Sequence, residues 1–236
     1  NRIFFRDFLI SLNPFINDKW ILQSNLGLRD NSNISSSYSI NWTYPESYNL
    51  VSNLNQTDIN KSFKDGYKLT KWEASNLSSP EFIFDKEDNF QTISFDDQFT
   101  IVTDIIPNKN SEVNIEQSLK QIYNFTNSLL SPIKHKKILI LKKDYAKNPL
   151  VGITEVVPFL NPFSDSFIYE TKFIKAYLAT YLHELLIIDK RKKHWIPGGI
   201  QTYVMMKYVE SFYPKNKFLG ALKDFSILGI RPFSNY

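Results

Sequence analysis

Residues 171–188 read TKFIKAYLATYLHELLII. Phe173, Ile174, Tyr177, Leu178, Tyr181, Leu182 and Leu185 fall at i, i+3 and i+4 spacings, which sets them on one broad face of a long helix. Near the end of that helix stands the pair His183-Glu184. Upstream, residues 114–130 (NIEQSLKQIYNFTNSLL) place Ile115, Leu119, Ile122, Tyr123, Phe125 and Leu129 near one helical face, and Pro132 ends that helix. Residues 136–141 (KKILIL) and 152–157 (GITEVV, stopped by Pro158) are short apolar runs that read as strands. Residues 167–169 are expected to add a third strand. Downstream, residues 189–193 (DKRKK) form a polar connector, and residues 199–212 form a further helix closed by Pro214. Pro197-Gly198-Gly199 reads as the turn into that helix, with Trp195 anchoring it by burial.

The stretch before residue 112 has a different character. Of the 22 Asn in the chain, 13 lie before residue 90, interleaved with Ser and aromatic residues. The alternation Tyr38-Ser39-Ile40-Asn41-Trp42 is that of a half-buried strand, and residues 99–103 (FTIVT) give the clearest strand of this part. Six N-x-S/T sequons, among them those at Asn33, Asn41 and Asn124, follow from the composition. The expected fold class is α+β: a β-rich domain over residues 1–112, then a second domain over residues 113–236 with a small sheet and the long helices.

Composition limits the chemistry. The balance of 28 Lys+Arg against 24 Asp+Glu is mild and mixed, so charge does not mark a nucleic-acid-binding protein. Lys134, His135, Lys136, Lys137, Lys142, Lys143 and Lys147 cluster around the KKILIL run, and a solvated surface is the expectation for them. With no Cys, disulfides, thiolate zinc sites, iron–sulfur clusters and thiol nucleophiles are excluded. The three His residues, at 135, 183 and 194, leave few imidazoles for any metal. No run of about 18 apolar residues marks a transmembrane helix. No G-x-S-x-G, phosphate-binding or dinucleotide fingerprint occurs. Glu155 interrupts an apolar run; in a buried strand it needs a partner or a functional reason, whereas at a sheet edge it is simply solvated.

Three segments, taken in order, resemble the catalytic domain of the aminopeptidase-N-like gluzincin metallopeptidases. Gly152-Ile153-Thr154-Glu155-Val156 is similar to that family's G-x-M-E-N strand. Leu182-His183-Glu184-Leu185, in a helix entered through Tyr169-Glu170, resembles the helix bearing H-E-x-x-H. Trp195-x-x-Gly198-Gly199-x-x-Thr202-Tyr203 is similar to W-x-x-E-G-x-x-x-Y. The resemblance spans residues 114–215 and implies a thermolysin-like α/β catalytic-type domain with zinc as cofactor. It also implies roles: His183 as a metal ligand, Glu184 as the general base, and Glu155 as the group that binds a substrate's free amino end.

The same comparison shows where the chain departs from the pattern. Ile187 stands at the second His ligand, Gly198 at the Glu ligand, and Val156 at the Asn after Glu155. A catalytic zinc takes three protein ligands and an open position, and neither an alkyl side chain nor a hydrogen donates an electron pair. The expectation is therefore a metallopeptidase-like protein that has lost zinc and hydrolysis and needs no cofactor. It would serve as a binding or scaffold subunit of a cell-envelope assembly, secreted or associated with the periplasm or outer membrane. Its expected partner is a protein, with a peptide as a further ligand and no nucleic acid. The alternative is a zinc aminopeptidase cleaving N-terminal residues, with the metal held by His183 and groups not identified in the sequence. A third reading makes the first 112 residues an adhesion or assembly module.

Overall fold

The computed structural model describes residues 2–6, 8–9, 15–16, 18–20, 35–95, 98–107, 111–146, 164–186, 188 and 195–214. The strands are β1 (Ile3–Phe5), β2 (Phe15–Ile16), β3 (Lys19–Trp20), β4 (Ser36–Pro45), β5 (Asn49–Ser52), β6 (Asn55–Lys64), β7 (Tyr67–Leu77), β8 (Phe82–Asp85), β9 (Gln91–Ser94), β10 (Thr100–Thr103) and β11 (Lys137–Ile140). The helices are α1 (Ile115–Leu129), α2 (Lys142–Ala146), α3 (Asp165–Leu185) and α4 (Trp195–Phe212). The architecture is mixed α+β, with the strands concentrated in the first half. Two compact units account for the chain. One holds Asn1–Thr103, Ile133–Leu139 and Thr180–Pro197; the other holds Asp104–Pro132, Ile140–Ala179 and Gly198–Tyr236.

The first unit is built on two three-stranded antiparallel sheets, in the orders β1-β8-β5 and β4-β7-β6. Alternation along β4 explains their common core. Tyr38, Ile40, Trp42 and Tyr44 point inward, while Ser39, Asn41 and Thr43 are exposed, as a strand with one buried face requires. The inward side chains meet Trp72, Leu77, Phe82, Phe84 and Leu54 in one buried cluster. Trp42 lies edge-on to Phe82 and Phe84, with ring centroids 5.4 and 5.2 Å apart, and Tyr44 to Phe84 at 5.3 Å, the edge-to-face geometry aromatic quadrupoles favour. Strand β8 is buried at all four positions, which fits its place between β1 and β5. A third sheet runs β11-β10-β9.

The second unit is helical. Asn114 caps α1, its Oδ1 accepting from the Gln117 amide at 3.1 Å. Of the stripe expected along α1, Leu119, Ile122 and Tyr123 are buried, Ile115 and Phe125 are half-buried, and Leu129 at the helix end is exposed. From α3 come Phe167, Tyr169, Phe173, Ile174 and Tyr177, and from α4 come Val204 and Tyr208, all buried.

Three expectations change. Residues 167–169 are helical, because α3 begins at Asp165: the Ser164 Oγ accepts from the Phe167 amide at 3.3 Å and the Ser164 carbonyl from the Ile168 amide at 3.1 Å. A three-residue apolar run carries no period of its own, and the Ser-Asp start signal ahead of it decides. Helix α4 begins at Trp195, so Pro197 lies in its first turn, where a missing N–H removes no intrahelical bond. Trp195 is 67% exposed rather than buried. It precedes the buried Val204 by nine residues, two and a half helical turns, and so falls on the opposite side of α4. The strand expected over residues 152–157 lies outside the described residues. Among the described residues, no helix is long and apolar enough to cross a membrane.

The aromatic cluster makes the first unit sensitive to truncation at its centre. Phe82→Ala is expected to lower stability by about 3–5 kcal/mol, read as a reduced urea midpoint at unchanged slope. An unchanged midpoint would show that the two sheets do not share this core.

Candidate functional site

The pair singled out in the sequence, His183-Glu184, occupies the last turn of α3 and belongs to the first unit. Both residues are half-buried. Glu184 Oε2 accepts a hydrogen bond from the backbone N–H of Ser78 at 2.9 Å. Ser78 follows the end of β7, where Asn76 adopts a left-handed backbone (φ 55°), a conformation Asn tolerates better than most residues. The Ser78 carbonyl in turn accepts from the Tyr38 hydroxyl at 3.3 Å. Burial pushes the Tyr38 phenol above its usual range, and the negative charge of Glu184 adds to that shift.

This turn is secured from several sides. Asn53 Nδ2 donates to the Ser79 carbonyl at 3.0 Å, and Asn53 Oδ1 accepts from the Glu81 amide at 2.8 Å. Ser52 Oγ donates to the Glu81 carbonyl at 2.7 Å. The Arg6 guanidinium pairs with the Glu81 carboxylate at 2.9 Å. Glu184 therefore joins a network of donors and acceptors that defines residues 78–81.

The other expected positions differ in what they offer. Gly198 lies exposed in the first turn of α4, and a Cβ added there would meet nothing within 4 Å. The space would admit a side chain, but the residue supplies no donor atom. Glu155 and Ile187 lie outside the described residues. At the three positions that the family resemblance assigns to metal ligands, the chain offers one imidazole, one alkyl group and one hydrogen. That set does not fit a catalytic zinc. Among the described residues, no group of three or more His, Asp or Glu is placed to hold a metal ion.

A second polar centre, not foreseen as a site, lies in the helical unit. Glu170 of α3 is 5% exposed. Its Oε2 accepts from the Tyr208 and Tyr213 hydroxyls, each at 2.6 Å, and from Gln121 Nε2 at 3.2 Å; its Oε1 accepts from Ser118 Oγ at 2.7 Å. Gln121 Nε2 also donates to the Tyr208 oxygen at 2.8 Å. Burial, and then the hydrogen bond and charge of Glu170, hold both phenols well above their usual range, so they remain donors. Phe125 and Phe212 close over Tyr208, with centroids 5.3 and 4.8 Å away, and Phe167 packs edge-on to Tyr213 at 5.0 Å. The signal in the sequence was the carboxylate within the apolar run FIYETKFI, which burial obliges to find partners.

The basic cluster around β11 divides in two. Lys134, Lys136, Lys142 and Lys143 are exposed as expected, but His135 and Lys137 turn into the first unit. His135 is 5% exposed, with Nε2 2.8 Å from the Asn53 carbonyl oxygen. Lys137 Nζ donates to the Leu54 carbonyl at 2.7 Å and sits 5.7 Å from the Trp72 ring centroid. Burial pushes the Lys137 ammonium down to about 8. Burial alternates along Lys134, His135, Lys136 and Lys137 as the chain runs into β11, so every second side chain turns inward.

No family model matches the sequence, and no curated protein is significantly similar to it.

Two outcomes follow from these geometries. Tyr208→Phe leaves a buried Glu170 oxygen short of a strong donor and is expected to cost about 1–3 kcal/mol, measured by denaturant unfolding. Loss of less than a few tenths would remove the network from the account of stability. For Lys137, the folded state releases its proton near pH 8, whereas the unfolded chain holds it to about 10.5. Between these values the unfolded state binds more protons, so stability rises with pH. Subtracting the unfolding curve of Lys137→Met isolates this contribution; a difference that is flat from pH 7 to 10.5 would contradict a buried ammonium.

Proposed function

We propose that this chain is a metallopeptidase-like protein of thermolysin-like fold that has shed zinc and hydrolysis and works as a binding or scaffold subunit in a cell-envelope assembly. The reading rests on the ordered resemblance of three segments to the gluzincin catalytic domain. One observation carries the loss of chemistry: the Glu184 carboxylate, at the position of the general base, accepts the Ser78 backbone N–H. A general base must reach the water it activates and be free to take its proton. A carboxylate oxygen turned to a main-chain amide has given up part of that capacity to fix a loop. The donor set at the ligand positions supports the same reading, since His183 alone cannot make a catalytic zinc site.

A retained scaffold without its metal is physically reasonable. The metal of a catalytic site is one contribution to stability among many, and here the buried aromatic clusters and the Glu170 network supply cohesion that owes nothing to zinc. Surfaces that once framed a substrate then remain as binding surfaces. The proposed partner is a protein or an extended peptide.

The test is metal content and turnover on the full chain. After dialysis against zinc, the protein is expected to retain well under one equivalent per chain and to show no hydrolysis of aminoacyl amides. Retention of about one zinc per chain, lost in His183→Ala together with chelator-sensitive turnover, would overturn the proposal and establish the aminopeptidase alternative.

A further inference from the structure

The sheet β4-β7-β6 has two edges, and they are built differently. Strand β6 pairs with β7 through three register shifts, between Gln56 and Asp58, Asp58 and Lys61, and Ser62 and Lys64. Its sequence carries Asp58, Lys61 and Lys64. Bulges and charges of this kind keep an edge strand from accepting another strand. Strand β4 has neither device over most of its length. From Tyr38 to Pro45 it pairs with β7 in unbroken register, and from Ser36 to Pro45 it contains no charged residue. Among the described residues no strand lies on its other side. Ser37, Ser39, Asn41 and Thr43 stand exposed along its outer face.

The geometry points to β4 as a self-pairing edge: a second copy of this chain adds its own β4 antiparallel to the first, across a two-fold axis at Asn41. Two properties of the strand favour a second copy over a different occupant. The first is charge. A chain of net charge +4 repels its own copy, and a long strip without any charge is where that repulsion is least. The second is register. Antiparallel pairing centred on Asn41 sets Asn41 against Asn41 of the other copy, Ser39 against Thr43, Ile40 against Trp42 and Tyr38 against Tyr44. Every pair is then polar with polar on the outer face, or apolar and aromatic on the inner face, as cross-strand neighbours prefer. The two-fold relation makes each pair off the axis occur twice, with the Asn41 pair once on the axis itself. The assembled sheet runs β6-β7-β4-β4-β7-β6, and both of its remaining edges are the bulged, charged β6. This inference does not depend on the peptidase likeness.

Analytical ultracentrifugation of the full chain between about 1 and 100 μM tests it. The wild type is expected to show a monomer–dimer equilibrium. Asn41→Lys, at an exposed position, places two like charges directly opposite each other and is expected to raise the dissociation constant about fivefold or more. An equimolar mixture of Asn41→Lys and Asn41→Asp is expected to recover the dimer as a heterodimer, while Thr57→Lys on β6 leaves the equilibrium unchanged. Circular dichroism confirms that each variant is folded. A wild type that stays monomeric at about 100 μM would overturn the proposal. So would a dimer that Asn41→Lys leaves intact, which must use another surface. A monomer that instead takes up an unrelated extended peptide, with binding lost in Asn41→Lys, would give the edge to another chain and equally overturn self-pairing.

Discussion

A carboxylate in the last turn of a helix faces the negative end of the helix dipole, and that position disfavours it by about 0.3–1 kcal/mol unless a donor compensates. Glu184 is such a residue, and the backbone N–H of Ser78 at 2.9 Å is its donor. The first unit depends on this exchange. Ser78 opens the turn between β7 and β8, and the same turn is gripped by Asn53, Ser52, Arg6 and Tyr38. The two strands it joins belong to different sheets, and both feed aromatic residues into the shared core, Trp72 from β7 and Phe82 and Phe84 from β8. Fixing residues 78–81 thus fixes how one sheet hands the chain to the other.

The helical unit solves a related problem with the same chemistry. Glu170 is buried on α3 and gathers donors from α1 (Ser118, Gln121), from α4 (Tyr208) and from Tyr213 just beyond α4. In both units a carboxylate of α3 serves as an acceptor that orients other segments. Glu184 accepts from the main chain, and Glu170 accepts from side chains alone. This pairing of roles gives physical content to the proposal of a scaffold: Glu184, which resembles a catalytic group by sequence, is engaged in holding the fold as Glu170 is.

Much of the helical part was legible in the sequence. The stripe of Leu119, Ile122 and Tyr123 and the stop at Pro132 act within a few residues, so local reading recovers α1. The run KILI gave β11 for the same reason. Legibility failed where distant residues decide. Residues 167–169 are a local exception, strand-like in composition but made helical by Ser164 only three residues ahead. His135 and Lys137 looked like two members of a solvated cluster, yet their acceptors are the carbonyls of Asn53 and Leu54, some 80 positions away. Ser78, whose amide donates to Glu184, is 106 positions upstream, and no spacing rule reaches that far. The identity of His183 and Glu184 was visible; what Glu184 touches was not. The pairing of β8 with both β1 and β5 likewise depends on long-range packing rather than on the FIFD sequence itself.

Glu184 either serves the fold or stands ready for chemistry. Amide hydrogen exchange at Ser78, compared between wild type and Glu184→Ala, tests this most directly. A carboxylate that serves the fold gives a protected Ser78 amide in the wild type, loss of that protection in the variant, and a fall in global stability of about 1–3 kcal/mol. A Ser78 amide that exchanges equally fast in both proteins, with stability unchanged, would contradict that role and return Glu184 to the list of groups free to act as a base.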